Sequence, residues 1–576
     1  MYIDVVPNRN SPPAVLLRQS YRQHGKVKKR TLANLTGLPK YKIDALRQAL
    51  RTPPPDDATR PPAKLDSQPP LRIVRSLPHG HVQAVLAAMQ QLGLPGIIAA
   101  KRCRQRDLVL GMIAARILFP CSKLNTIARW SECTLTEELG IADADENDLY
   151  DALDWLLRRQ RRIENKLAKK HLADGAYVLY DLSSSYYTGT HCPLVEFGHS
   201  RDGKKGFPII VYGVLTDRQG RPIAVDVYPG NTADPTTVAA QAKKLRKRFA
   251  LERAVLVGDR GSITNTTIQT LQKHPGLGWI GALRSDAIRR LIEKGEISRS
   301  LFDETNLAEI LSDDYPGERL IACYNPLLAD KRSKKRQALL EATEEGLRKL
   351  AAQVRRRTKT PLSAAEIGVK AGKIINRYKV GKHFELTIED GSFQWQRNEP
   401  SITQEEHLDG IYMIRTSESD KQLSSADVVR TYKSLAQVEQ AFRCLKTVDL
   451  HVRPIYLRTE AHVRGHIVLC LLSYYVEWHL RERWKELLYA DEELDESRRT
   501  RDPVRPPEPS ASVRQKKLTH RNSNGIGVQT FSSLIASLAT LCRNTCHLSA
   551  DAYQTPVYID TDMTALQRRA FELLEM

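Results

Sequence analysis

The stretch from Tyr177 to Leu283 constrains the fold more than any other part of the chain. Its apolar residues follow strand periodicity in successive runs, separated by segments with helical periodicity. The predicted strands are Tyr177–Leu182, Phe207–Thr216, Pro222–Val227, Ala254–Gly258 and Trp279–Leu283. The predicted helices are Pro235–Phe249 and Thr264–His274. The order β-β-β-α-β-α-β predicts antiparallel hairpins followed by parallel crossovers, and so a mixed sheet flanked by helices.

The segments around this stretch differ in composition, and a chain of 576 residues exceeds what one hydrophobic core usually supports. We therefore predict an α/β multidomain protein with a helical N-terminal region. Its predicted parts are a small N-terminal module (1–50), a Pro-rich linker (51–75), a helical DNA-binding region (76–174), the first part of the core (175–288), an α+β insertion (289–405), the second part of the core (406–490), and a C-terminal flexible segment with a helical element (491–576).

The charge balance indicates a polyanionic partner. Lys and Arg number 88 against 67 Asp and Glu, which gives a formal net charge of +21. Nucleic acid is the first candidate for such a partner. No run of 18 apolar residues occurs, and the segment Met1–Val5 does not resemble a secretion signal, so we expect no membrane partner and a cytoplasmic, nucleoid-associated protein. The nine cysteines include no Cys-x-x-Cys pair and are expected to be reduced thiols.

Three carboxylates occur in the settings that a site for divalent metal ions needs. Asp181 follows the apolar run Val178–Tyr180, Asp259 follows the run Val255–Gly258, and Glu439 lies in a helical stretch. Open α/β sheets place their sites at the carboxyl ends of strands. Hard cations such as Mg²⁺ take oxygen ligands and are often held by one or two carboxylates each. The chemistry that this pattern predicts is phosphodiester cleavage or transfer.

The stretch Tyr432–Lys446 is predicted to be one amphipathic helix. Seven residues advance a helix by about 700°, within roughly 20° of two turns, so Tyr432, Glu439 and Lys446 are expected to point the same way. Arg443 lies within about 40° of that line, and Leu435 belongs to an adjacent apolar stripe. An ordinary helix with a charged outer face remains the alternative interpretation.

These residues give the chain a resemblance to a known family, the DDE transposases of bacterial insertion sequences. The signature Tyr-x₂-Arg-x₃-Glu-x₆-Lys of the IS-four-like group, subgroup IS-sixteen-thirty-four-like, is matched by Tyr432, Glu439 and Lys446. The family's Arg is Leu435 here, for which we predict a packing role. The other matching segments are Val178–Asp181, Gly198–Gly203, Pro229–Asp234, Gly258–Gly261 and His451–Pro454.

The resemblance implies a ribonuclease-H-like core in which Asp181, Asp259 and Glu439 are the catalytic residues and hold two Mg²⁺ or Mn²⁺ ions. It also implies contacts with DNA by Tyr432, Arg443, Lys446 and Arg260. The expected activity is cut-and-paste transposition, with terminal inverted repeats and target DNA as partners and a homodimer in the synaptic complex. An inactive transposase-derived DNA-binding protein and a stand-alone Mg²⁺ nuclease are the alternatives.

Other polar residues have simpler interpretations. We expect Asp234 to cap the helix that begins at Pro235, and Asp202 to lie in a turn. The hydroxyls of Ser183, Ser184 and Ser185 are expected to satisfy backbone groups rather than to supply a nucleophile. No phosphate-binding Gly-x₄-Gly-Lys-Ser/Thr loop occurs, so ATP is not implied. A structural zinc site at Cys542 and Cys546 lacks a second ligand pair.

Overall fold

The computed structural model describes residues 1–8, 13–23, 26–51, 71–204, 206–303, 305–453, 455–506, 508–548 and 555–576. The chain divides into two compact units, Met1–Arg72 and Ile73–Met576. The predicted linker, 51–75, lies mostly outside the described residues, so it stays a prediction.

The first unit contains a three-stranded antiparallel sheet and one helix. The strands are β1 (Tyr2–Val6), β2 (Ala14–Gln23) and β3 (Lys26–Asn34), and the helix is α1 (Lys40–Arg51). An ion pair of 2.8 Å between Arg18 and Asp4 joins β2 to β1. These elements occupy the range that was predicted to form a small N-terminal module.

Strand β4 (Leu71–Pro78) begins two residues before the second unit, and its remaining residues belong to that unit. A helical region follows β4, as predicted. Its helices are α2 (Gly80–Gln91), α3 (Leu94–Ile98), α4 (Arg104–Leu118), α5 (Lys123–Arg129), α6 (Leu135–Leu139) and α7 (Glu146–His171). Helix α7 begins with a capping box, in which Asp145 and Asp148 each accept a hydrogen bond from the other's backbone amide. The apolar positions of α4 and α7 face one continuous core.

The central sheet confirms the predicted order of elements. After α7 come β5 (Ala176–Tyr186), β6 (Ile209–Asp217), β7 (Pro222–Pro229), α8 (Asp234–Lys243), β8 (Ala254–Val257), α9 (Asn265–Gln272) and β9 (Leu277–Ala282). Strands β5, β6 and β7 form an antiparallel meander, whereas β8 is parallel to both β5 and β9. The spatial order β7-β6-β5-β8-β9 is the ribonuclease-H-like arrangement that the resemblance implied.

The insertion is smaller than predicted. The elements after β9 are α10 (Ser285–Glu293), β10 (Leu307–Ile310), β11 (Arg319–Tyr324), α11 (Pro326–Arg356), α12 (Ala364–Arg377), β12 (Phe384–Glu389), β13 (Ser392–Arg397), α13 (Glu399–Glu406) and β14 (Ile411–Thr416). Strands β10 and β11 extend the central sheet through β14, which pairs with β9, and give it eight strands. The predicted boundary at 289 is therefore wrong, because β10 and β11 belong to the central sheet and the separate core of α11 to α13 begins only after β11.

The last part of the chain packs against the central sheet and also forms a separate three-stranded sheet with β4. It consists of α14 (Ser425–Lys433), α15 (Leu435–Arg443), α16 (Glu460–Arg483), α17 (Leu494–Thr500), α18 (Ala511–Thr519), α19 (Phe531–Ala539), β15 (Cys542–Leu548), β16 (Val557–Asp560) and α20 (Ala565–Glu572). Strand β15 lies between β16 and β4. Between α17 and α19 lie the fully buried Val504 and helix α18.

Strand β5 separates two hydrophobic cores. Leu179 and Tyr187 pack into the core that contains α4, α7, α15 and α16. Val178 and Tyr180 pack into the core that contains α8 and α9. Because successive side chains of a strand point to opposite faces, Asp181 lies on the same face as Leu179, toward α15. Truncating a fully buried leucine such as Leu179 to alanine costs about 2 to 5 kcal/mol, so this register is strongly held.

Candidate active site

The strand register places Asp181 and Asp259 side by side. Leu179 of β5 pairs with Val257 of β8 in the parallel register, and each aspartate lies two residues further along its own chain. One detail of the prediction is wrong, because Asp181 does not end its strand. Strand β5 continues to Tyr186, and Asp181 pairs there with Val214 of β6.

The loop after β8 holds the carboxylate of Asp259. Its Oδ1 atom accepts hydrogen bonds from the backbone amides of Gly261, at 3.0 Å, and Ser262, at 2.8 Å. A Cβ atom at position 261 would lie 3.3 Å from both carboxylate oxygens of Asp259. Glycine therefore lets the backbone approach the carboxylate closely enough to orient it.

The helix predicted at Tyr432–Lys446 is broken. Helix α14 ends at Lys433, α15 begins at Leu435, and a π-helical turn, Cys444–Val448, follows. The hydroxyl of Ser434 donates a hydrogen bond of 2.6 Å to the carbonyl of Thr431, so a side chain competes for a helix carbonyl. The argument that Tyr432, Glu439 and Lys446 share one continuous face is therefore wrong.

Tyr432 and Glu439 nevertheless reach the two aspartates. Burial raises the pKa of Tyr432 to about 12, with a further contribution from Asp259 and smaller ones from Glu439 and Asp181. The adjacent Arg260 opposes this shift in the pKa of Tyr432. Glu439 itself is exposed to solvent. We name Asp181, Asp259 and Glu439 the carboxylate triad.

The electrostatics of the triad fit a divalent cation. Burial raises the pKa of Asp181 to about 7, and repulsion from Asp259 and Glu439 adds to the shift. The hydrogen bond from the Leu182 amide and the charge of Arg201 lower the pKa of Asp181 and so oppose the shift. Among the described residues, no lysine or arginine forms an ion pair with a triad member. Oxygen ligands with uncompensated charge are what Mg²⁺ and Mn²⁺ require.

Of the four predicted DNA contacts, two are exposed to solvent, and Tyr432 and Lys446 are not. Arg260 and Arg443 are exposed to solvent. Lys446 is only 8% exposed, and its Nζ lies 2.8 Å from Oδ1 of Asp202. Burial lowers the pKa of Lys446, and the ion pair with Asp202 opposes that shift. Leu435 packs against the main hydrophobic core, as its place on the apolar stripe predicted.

The sequence did not identify the roles of Asp202 and Asp234. Asp202 is in a turn, as predicted, but its side chain is 0% exposed and also lies 2.8 Å from Nη1 of Arg453. Asp234 is the first residue of α8 rather than its cap, which is Ala233, and it pairs with Arg201. The sequence contained one indication of these roles: the segment Gly198–Gly203 carries Arg201 and Asp202 between two glycines. Ser184 accepts a hydrogen bond from the backbone amide of Arg201, as expected.

A second acidic group lies close to the end of helix α15. Cys444, Asp449 and Glu477 have ligand atoms that all lie within 4.8 Å of one another, the one such group found in the described parts of the chain. The carboxylate oxygens of the triad do not all lie within 4.8 Å of one another. Arg481 lies 2.7 Å from Asp449 and 2.6 Å from Glu477. Burial raises the pKa of Glu477 to about 8. We name these four residues the Arg481 cluster.

A ribonuclease-H-like sheet with carboxylates from two adjacent strands and a later helix defines a class of metal-dependent enzymes that act on nucleic acids. Within this class, the family model described as "Transposase DDE domain" matches residues 189–476, half of the chain. A second model, "IS1634 family transposase, N-terminal domain", matches residues 3–53. The chain belongs to the DDE transposases, in the IS1634 group. Asp259 and Glu439 lie inside the matched range, and Asp181 precedes it.

Among solved structures, the chain is similar to one described as a cryo-EM structure of the piggyBac transposase synaptic complex with hairpin DNA. The identity is 11%, the TM-score is 0.34, and the match covers 80% of this chain and 76% of the other. A comparison with curated proteins finds no match. No helix in the described ranges has the length and apolar character to cross a membrane.

Proposed function

We propose that this transposase cuts DNA at the ends of its insertion sequence and joins those ends to target DNA, with the carboxylate triad as its catalytic centre. The observation that carries the proposal is the convergence of three carboxylates, none of which forms an ion pair with a lysine or arginine in the described part of the chain. Burial and the two neighbouring carboxylates raise the pKa of Asp181 to about 7, so the triad favours either a proton or an external cation.

Asp181, Asp259 and Glu439 are the residues that would hold two Mg²⁺ or Mn²⁺ ions. When bound, such ions supply an activated water or 3′-hydroxyl and stabilise the leaving oxygen of the phosphodiester. The chain's own contribution is orientation. The Gly261 and Ser262 amides fix the carboxylate of Asp259, and strand β5 fixes that of Asp181.

Other residues bind the DNA in this proposal. Arg260 and Arg443 are exposed and can pair with phosphates near the cut, whereas Tyr432 is mostly buried and lines the site. Lys446 acts through Asp202, with which it forms an ion pair, and so positions the loop that carries Arg201. Pairing two ends of one element requires two active sites, and we therefore propose a homodimer that assembles on nucleoid DNA.

The experiment that tests the proposal uses purified protein, Mg²⁺ and a plasmid that carries the gene with its native flanks. Wild-type protein is compared with Asp181→Ala, Asp259→Ala and Glu439→Ala, and with Glu345→Ala as the matched control. Glu345 is an exposed helical carboxylate that pairs with Lys349 in the insertion. We expect excision at discrete ends and joining to new DNA, abolished by the three triad substitutions and retained by the control.

The alternatives give different results in the same assay. Cutting without joining would indicate a stand-alone nuclease. Specific binding of the ends without any cutting would indicate a DNA-binding protein derived from a transposase. Cutting that survives Glu439→Ala would mean that the third carboxylate has been assigned wrongly.

A further inference from the structure

Two buried cations line a small cavity between helices α4, α5 and α16. Arg116 of α4 is 6% exposed and Lys123 of α5 is 5% exposed. The volume of the cavity, about 10 Å³, is close to the smallest that holds one water-sized ligand. We name this feature the Lys123 cavity, and its lining consists of Met112, Arg116, Cys121, Lys123, Thr126 and Leu469.

In the described part of the chain, no carboxylate pairs with either cation. Burial and the charge of Arg116 together lower the pKa of Lys123 to about 7, and the sulfur atoms of Cys470 and Cys121 oppose that shift. These thiols are poor counter-charges, because burial raises the pKa of Cys470 and so favours its neutral form. A buried charge without a partner is strongly destabilising. The cavity therefore favours an anion taken from solvent.

A neutral Lys123 would not remove the need for an anion, because a guanidinium is not deprotonated in proteins. Within the described ranges, the Arg116 side chain donates one hydrogen bond, from Nη1 to the carbonyl of Leu450 at 3.4 Å. The Nζ atom of Lys123 lies 2.9 Å from Nδ1 of His466. Burial lowers the pKa of His466 well below its ordinary value, so the ring is neutral and can accept this hydrogen bond. Both cations keep further N–H donors for a ligand.

The charge and the size of the cavity restrict that ligand. The Sγ atom of Cys470 lies 3.8 Å from both ring nitrogens of His466, a pair that could suggest a metal ion. A metal ion would be repelled by Lys123 and Arg116, and His466 belongs to no group of metal-ligand atoms found in the described residues. Phosphate and sulfate are several times larger than a water molecule. A monatomic anion fits both the charge and the volume.

The Lys123 cavity lies against the segment that follows α15. Arg116 contacts the carbonyl of Leu450 in this segment. Three residues later, Arg453 forms an ion pair of 2.8 Å with Asp202. An anion that holds the guanidinium of Arg116 would therefore also hold the segment that carries Arg453.

We propose that the Lys123 cavity binds one chloride-sized anion between the ammonium group of Lys123 and the guanidinium of Arg116. The anion neutralises the buried cations and joins α4 to α5, and so it stabilises the fold. The anion site does not depend on the proposed function, because neither DNA nor a divalent ion takes part in it.

The first test measures thermal unfolding of the full-length protein in sodium chloride and in sodium gluconate at one ionic strength, because gluconate is too large for the cavity. We expect the unfolding temperature to be about 2 °C higher in chloride. Lys123→Met and Arg116→Met should each remove this difference, because each removes one of the two cations. Arg129→Met is the matched control and should retain it, since Arg129 lies on the same helix as Lys123 and is 44% exposed.

The second test locates the anion directly and does not require any variant to fold. Crystals of the wild-type protein are grown with bromide, whose anomalous scattering identifies the ion. We expect a bromide peak in contact with both Lys123 and Arg116, and we expect it to remain when inorganic phosphate is added.

Three outcomes would overturn the proposal. The first is a water molecule in the cavity with no bromide peak. The second is a chloride effect that persists in both Lys123→Met and Arg116→Met, because surface cations would then account for it. The third is displacement of bromide by phosphate, because the ligand would then be an oxyanion and not a monatomic ion.

Discussion

The carboxylate triad and the Arg481 cluster are both groups of acidic side chains, and they differ in what balances their charge. In the Arg481 cluster, Glu477 is 0% exposed, and the guanidinium of Arg481 contacts the carboxyl groups of both Asp449 and Glu477. In the triad, Glu439 is exposed and the hydrogen bonds of Asp181 and Asp259 come from backbone amides. A buried acidic group that pairs with an internal cation depends on that cation for its stability, whereas one without a cation is available to bind metal ions.

The strongest test of this comparison is a pair of matched substitutions, Glu439→Gln and Glu477→Gln. We expect Glu439→Gln to slow DNA cutting by about a thousand-fold, because metal ions supply several kcal/mol to the transition state. Glu477→Gln should retain cutting within about three-fold, because the pKa of Glu477 is raised to about 8 and glutamine resembles its protonated form. Single-turnover cutting of the native ends measures both. Equal losses in the two variants would break the distinction.

The second prediction removes the internal cation. Arg481→Gln should lower the free energy of unfolding by about 3 kcal/mol, because a buried carboxylate loses its partner. Denaturant unfolding of the full-length protein measures this, with Arg443→Gln as the control. Arg443 is exposed, so its substitution should change stability by no more than about 0.5 kcal/mol. If Arg481→Gln is as harmless as the control, the guanidinium does not balance the cluster.

The third prediction concerns pH. The pKa of Asp181 is raised from its ordinary value to about 7 in the folded protein, so folding favours the protonated form. Stability without metal should therefore fall as pH rises between about 4 and 7, by about 2 kcal/mol when residual solvent contact is allowed for. Asp181→Asn should remove this fall. The measurement is denaturant unfolding with a chelator at pH values on both sides of this range, and an unchanged pH profile in the variant would contradict it.

The smallest expected effect distinguishes free from internally paired cations at the DNA surface. Arg443→Gln should reduce the slope of log affinity against log salt by about one, since one phosphate contact is lost. Lys446→Gln should change that slope less, because its ammonium pairs with Asp202 in the protein. Salt titrations of binding to one duplex measure both slopes. A larger change for Lys446→Gln would mean that DNA displaces Asp202.

The sequence predicted the parts of the structure that depend on local pattern. The runs before Asp181 and Asp259 are short and apolar, and they were correctly predicted to be strands, although β5 continues five residues past Asp181. The break at Ser434 was missed because it depends on one hydroxyl competing for a helix carbonyl. The environment of Asp202 was missed because Lys446 and Arg453, which surround it, are remote in sequence. The extension of the sheet by β10 and β11 was missed for the same reason, since it depends on pairing with β14.

Because β11 and β14 pair in the central sheet, the insertion between them can be replaced without changing that sheet. The insertion, α11 to α13, has its own hydrophobic core, and its two ends leave from β11 and return to β14, which are neighbours in one sheet. Its length can vary while the distance between those two ends stays the same, so Glu439 keeps its place opposite the aspartates. This position therefore offers an attachment point at which a protein engineer could exchange the inserted module for a foreign domain, such as a ligand-responsive one, without rebuilding the central sheet.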